Sequence, residues 1–206
     1  MTDIDLDQLL SHQTIYFPWS SVQGCQDDPV KLTTALAGQV GLPITVMCSD
    51  KSSIPDALQH ADYVTERSQC VNGRQSVILL YYPTRRLFDR TALRSAKYVV
   101  VAEWPDEPLE TWAAKRRAWN ARTRATMSLD ISPEITETYG RILWNGNNGW
   151  HDAPGKRDAL RDLEALRDRN LLIKEQLIGY LLGEKSSSAL DQLEKLVDQV
   201  LTTRAP

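Results

Sequence analysis

Between Ser76 and Pro105 the chain reads SVILLYYPTRRLFDRTALRSAKYVVVAEWP. Two apolar runs rich in β-branched and aromatic residues, Val77–Tyr82 and Tyr98–Ala102, flank a segment with helical spacing. A strand, a crossover helix and a second strand make two parallel strands, and parallel strands are normally buried on both faces. This stretch therefore sets the class as α/β, with a Rossmann-like, three-layer arrangement. It also sets where a site belongs, because ligands of open parallel sheets sit beyond the carboxyl ends of the strands.

The rest of the chain extends the pattern in both directions. Thr14–Phe17 and Ile44–Met47 read as strands. A helix opened by Pro29 runs to about Val40, with Asp27 or Asp28 as its cap and Gly41 as its stop. Ile54–Tyr63 has helical character, and a further short strand lies near Tyr63–Thr65. The expectation is a sheet of about four to five strands over residues 12–105. After Trp104 the composition changes, and residues 106–206 read as an all-helical C-terminal region. Its helices are expected at Leu109–Met127, from Pro133 to about Trp144, and at Lys156–Arg169, Leu171–Leu182 and Ala189–Leu201. The last carries a clear apolar stripe of Leu190, Leu193, Leu196, Val197 and Val200.

With 206 residues the chain is long enough to bury a sizeable core without staples. A net charge of −3 gives no global attraction to nucleic acid or to an anionic membrane. No apolar run approaches the ~20 residues of a membrane span, and the start, MTDIDLDQLL, is acidic where a secretory signal would be basic. Three cysteines at irregular spacing argue against a disulfide framework, so a cytoplasmic protein with reduced thiols is expected. His12, His60 and His151 have no partner at metal-ligand spacing, and neither a glycine fingerprint nor a Gly-x-Ser-x-Gly elbow occurs. No metal or cofactor is implied, and no complete catalytic motif is present.

Two surfaces carry the functional expectations. The first is the strand-end rim, with Ser20 and Ser21 after the first strand, Asp50 after the second, Thr84 and Arg85 after the third and Glu103 after the fourth. These residue types suit a small anionic ligand such as a nucleotide or sugar phosphate. Arg85 offers bidentate contacts, while Asp50 and Glu103 serve as acid–base or ribose-contacting groups. Polar residues and caps are also the default at any parallel sheet's edge. Pro83-Thr84-Arg85-Arg86 resembles a short nucleic-acid-contacting motif of superfamily 2 helicases, but that family's phosphate-binding loop is absent and ATP hydrolysis has no machinery here.

The second surface is the expected helix at Leu109–Met127. Residues 111–127 carry Lys115, Arg116, Arg117, Arg122 and Arg124 and no acid. Trp112 and Trp119, seven apart, would share one helical face, with Arg116 on one side and Lys115 and Arg122 on the other. Aromatic planes interleaved with cations are what single-stranded nucleic acid binding uses. The competing account packs both tryptophans into the core while the cations extend outward over them. The favoured expectation is a non-catalytic binding or adaptor module contacting protein or single-stranded nucleic acid through this helix. The alternative is an enzyme or sensor for a small anion at the rim.

Overall fold

The computed structural model describes residues 6–21, 27–68, 75–90, 93 and 96–203. Cys25, Cys70 and the turn-favouring dipeptide Asn72-Gly73 lie outside them. The chain divides into two compact units, residues 1–128 and 129–206.

The first unit is built on one seven-stranded sheet. Its strands are β1 (Thr14–Phe17), β2 (Ile44–Met47), β3 (Asp62–Val64), β4 (Val77–Tyr81), β5 (Tyr98–Ala102), β6 (Trp119–Asn120) and β7 (Ala125–Thr126), in the spatial order β3-β2-β4-β5-β1-β6-β7. Every pairing is parallel except β6 with β7. The α/β class is as expected, but the sheet is larger than four to five strands. Its register aligns one continuous row across the sheet: Val46 opposite Leu79, Leu79 opposite Val100, Val100 opposite Ile15, and Ile15 opposite Trp119. All five are buried in one cluster with Leu32 and Leu36 of helix α2 (Asp28–Val40) and Leu9 of the short helix α1 (Leu6–Leu10). The opposite face carries Tyr16, Val101, Leu80, Met47 and Val64, equally buried. Residues hidden on both faces are why the central strands read as unbroken apolar runs.

One expected helix is reduced to short turns. Ile54–Tyr63 forms the 3-10 turn Asp56–Leu58, preceded by another at Lys51–Ser53, and then β3. Between β4 and β5 the 3-10 segment Arg85–Asp89 and the helical Leu93 are described, and the rest of the expected crossover helix lies outside the described residues.

The helix expected over Leu109–Met127 is replaced by α3 (Glu110–Lys115), a turn, and the β6–β7 hairpin. The stop is explicit in the backbone. Arg117 has φ of 53°, its N–H donates to Ala114 O at 2.9 Å, and the Ala118 N–H donates to Ala113 O at 2.9 Å. These are the paired bonds of a Schellman helix end, completed by burial of Ala113 and Ala118 together. The gain that overrides helical propensity is the burial of Trp119 in the core row beside Ile15.

The second unit holds α4 (Pro133–Asn145), α5 (Ala153–Asp168), α6 (Lys174–Leu181) and α7 (Ser187–Thr202). Ser132, Asp152 and Ser186 cap three of these through side-chain oxygens that accept from Ile135, Gly155 and Ala189 N–H groups. Leu163, Leu177, Leu190 and Leu193 are fully buried. Trp150 is also fully buried, and its indole N–H donates to Ile142 O at 3.2 Å. Trp144 is 75% exposed, so of the two tryptophans flanking the Asn145–Gly149 segment only Trp150 closes the core. Among the described residues no helix is long and apolar enough to cross a membrane.

Candidate functional site

From β2 the chain moves to β3 on one side, and from β4 it moves to β5 on the other. The crevice outside the carboxyl ends of β2 and β4 is therefore a topological switch point, where open α/β sheets hold ligands. Beside it lies a cleft of about 600 Å³ lined by Ser49, Asp50, Lys51, Tyr63, Thr65, Glu66, Arg67 and Ser68. That volume lies within the ~300–1,000 Å³ of small-molecule sites.

The cleft walls are held by bonds that continue the β2–β3 ladder. Cys48 N–H donates to Val64 O at 3.1 Å and Glu66 N–H to Ser49 O at 3.4 Å. Asp50 caps the first 3-10 turn. Its Oδ1 accepts from the N–H groups of Ser52 at 2.9 Å and Ser53 at 3.1 Å, as well as from the Ser52 hydroxyl. Hydrogen bonds from the Ser52 hydroxyl and backbone, then from Ser49 and Ser53, hold the Asp50 carboxyl below its ordinary value. Glu66 is likewise engaged: Oε1 accepts from Thr84 Oγ1 at 2.5 Å and Oε2 lies 3.6 Å from the Arg86 guanidinium. Arg90 binds the Glu66 carbonyl oxygen.

The two cleft cations are less constrained. Lys51 lies 5.6 Å from the centre of the Tyr63 ring, and Arg67 is exposed with no ion pair among the described residues. Beside them, the Thr65 and Ser68 hydroxyls are 3.0 Å apart and the Ser49 and Ser53 hydroxyls 3.3 Å apart. Both cleft carboxylates are thus matched by the protein's own donors, and the cleft offers cations and hydroxyls. Among the described residues no group of histidines, cysteines and carboxylates could hold a metal ion. Cys48, next to Ser49, is fully buried, and burial with the nearby Asp50 charge pushes its thiol up to about 11. A thiol so protonated is a poor nucleophile.

The expected rim residues separate into two groups. Asp50 lines the cleft, and Thr84 reaches its wall through Glu66. Glu103, Ser20, Ser21 and Arg85 do not line it. Glu103 is a brace: Oε2 accepts from Trp19 N–H at 2.8 Å, Oε1 from Leu109 N–H at 2.7 Å, and the Tyr16 hydroxyl also donates to it. Burial first, and that bond second, keep the Tyr16 phenol protonated far above its ordinary range. Arg85 pairs with Glu107 at 3.1 Å, and Ser20 and Ser21 follow β1 on another part of the rim.

The second expected surface is dismantled by the fold. Trp112 and Trp119 are each 2% exposed, on different elements, and neither offers a ring face to a base. Trp112 packs edge-on to Phe88 at 5.1 Å and carries the Arg116 guanidinium at 4.9 Å. Arg122 donates to Trp19 O at 2.6 Å, so it staples the loop leaving β1. Lys115 ends α3. Sequence reasoning missed Lys51, Tyr63, Thr65, Glu66, Arg67 and Ser68. Most of them sit in or after β3, and accepting the weak strand signal at Tyr63–Thr65 would have put Glu66–Ser68 on the rim.

No protein-family model, curated protein or solved structure matches this chain.

Proposed function

We propose that the chain binds a small anionic molecule, a nucleotide or sugar phosphate, in the cleft at the ends of β2 and β3. The observation that carries this reading is the pairing of Lys51 and Arg67 with the hydroxyls of Ser49, Thr65 and Ser68 in one concave site. The carboxylates there already accept protein donors. A bound phosphate accepts charge-assisted hydrogen bonds from the guanidinium and ammonium groups, the strong class of such bonds. The half-exposed Tyr63 ring adds an apolar wall. The reading is of a binding or sensing module: no histidine lines the cleft, and the neighbouring thiol is kept neutral.

The test is a thermal-shift series over AMP, ATP, glucose 6-phosphate and inorganic phosphate on wild type and on Arg67→Ala and Lys51→Ala. A ligand at 100 times its Kd stabilises the native state by about 2.7 kcal/mol. The expected result is a dose-dependent rise with at least one phosphorylated ligand that is lost in Arg67→Ala. Absence of any rise across the series, or a rise indifferent to both variants, overturns the proposal.

A further inference from the structure

The sheet edge that carries the cleft also carries three large rings. Trp19 leaves β1, Tyr82 leaves β4 and Trp104 leaves β5. The Trp19–Trp104 and Tyr82–Trp104 centroids are 5.1 Å apart and Trp19–Tyr82 6.1 Å, with ring planes 61–71° apart. Tyr82 turns out of the strand through a left-handed backbone, φ 49°, a conformation that side chains other than glycine and asparagine rarely adopt. None of the three rings is buried, and Trp104 is 39% exposed. Trp19 and Tyr82 are half-buried beside it, and a contiguous, partly exposed aromatic patch on a folded surface marks a contact site.

Charge is distributed along the same edge. Lys51 and Arg67 follow β2 and β3, and the Arg86 side chain, 72% exposed, follows β4. On the aromatic side Glu103 accepts backbone N–H groups and Glu107 pairs with Arg85, while Asp106 accepts the Trp104 indole N–H at 3.0 Å. From β3 to β1 the edge crosses four strand intervals, about 19 Å. That length exceeds one nucleotide and fits several. Cations followed by aromatic planes are the two components of single-stranded nucleic acid binding: charge for the backbone, ring faces for the bases.

Resting on the cleft reading, we infer that the occupant of the full rim is a single-stranded oligonucleotide. Its phosphates lie at Lys51, Arg67 and Arg86, and its bases stack on Trp104, Tyr82 and Trp19. Stacking is tolerant of sequence because every base has a π face.

Fluorescence anisotropy with 5′-labelled oligo(U) and oligo(dT) decamers tests this, with AMP thermal shifts run in parallel. Wild type binds a decamer, with log affinity falling against log salt at a slope of roughly −2 for three backbone contacts. Trp104→Ala weakens decamer binding by roughly 5- to 100-fold, and Trp104→Phe restores most of it. Both variants keep the AMP response, which also reports that they fold. Asp106→Asn tightens the decamer. Affinity unchanged in Trp104→Ala, or no decamer binding while AMP still raises the melting temperature, overturns the oligonucleotide and leaves the cleft reading standing. Failure of the decamer together with every ligand of the thermal-shift series overturns both.

Discussion

Arg117 decides between two accounts of residues 109–127, and a single pair of variants reads the answer. In the structure Arg117 is exposed and left-handed at the residue where α3 ends. A non-glycine residue there costs roughly 1–2 kcal/mol relative to glycine through the clash of Cβ with the following carbonyl. Glycine gives back part of this through the entropy of its unfolded chain, about 0.4–1 kcal/mol. Arg117→Gly is therefore expected to be more stable than Arg117→Ala by about 1 kcal/mol. Had the helix run on to Met127, the order would reverse, since glycine in a helix interior is about 1 kcal/mol worse than alanine. The two accounts differ by about 2 kcal/mol in the Gly–Ala comparison, well above the scatter of urea unfolding. Because the side chain touches no core, packing does not confuse the reading. Alanine proving more stable than glycine at this position would refute the Schellman end, and with it the burial of Trp119 as a strand residue.

Glu103→Ala leaves two backbone N–H groups and the Tyr16 hydroxyl without their acceptor and is expected to cost about 3 kcal/mol in urea unfolding; a change under 1 kcal/mol contradicts the brace. Trp119→Ala, at a position 2% exposed, is expected to lose about 3–5 kcal/mol and to abolish the cooperative melt of the first unit. Arg141 lies 3.4 Å from the buried Asp162 carboxylate, so Arg141→Ala should destabilise the helical unit by about 1–2 kcal/mol, and adding Asp162→Asn should recover part of that. The Cys48 thiol titrates at about 11 in the native state against 9.0 unperturbed. Above pH 9 the unfolded chain loses that proton first, so native stability falls as pH rises from 9 towards 11. Unfolding at pH 8 and 10.5 should show a shallower fall in Cys48→Ala than in wild type; equal slopes contradict it.

The parallel core was legible because strands buried on both faces must be continuously apolar, and Val77–Tyr81 and Tyr98–Ala102 are. Four of the seven strands follow from that rule and from the Pro29 and Gly41 punctuation of α2. What was not legible has a common physical origin. The seven-residue spacing of Trp112 and Trp119 suits a helix, and no glycine marks the left-handed turn between them, since an arginine occupies it. Only the register with Ile15 shows why Trp119 must leave the helix, and register is a tertiary fact. The cleft was half legible. Asp50 and Thr84 were on the expected rim, but β3 is three residues long with an exposed Tyr63, and its local signal was too weak to place Arg67 beside them. The Trp19–Tyr82–Trp104 cluster joins three loops, the first and last 85 positions apart, and has no sequence signature at all.

The measurement that bears most directly on the anion-binding account is an amide chemical-shift titration of the full chain with AMP and with inorganic phosphate. Saturable shifts are expected at Ser49–Lys51 and Thr65–Ser68 and at the Arg67 guanidinium, with the amides of Ala114–Arg124 unmoved. Shifts centred on Ala114–Arg124, or no saturable shift at either cleft wall, would contradict it.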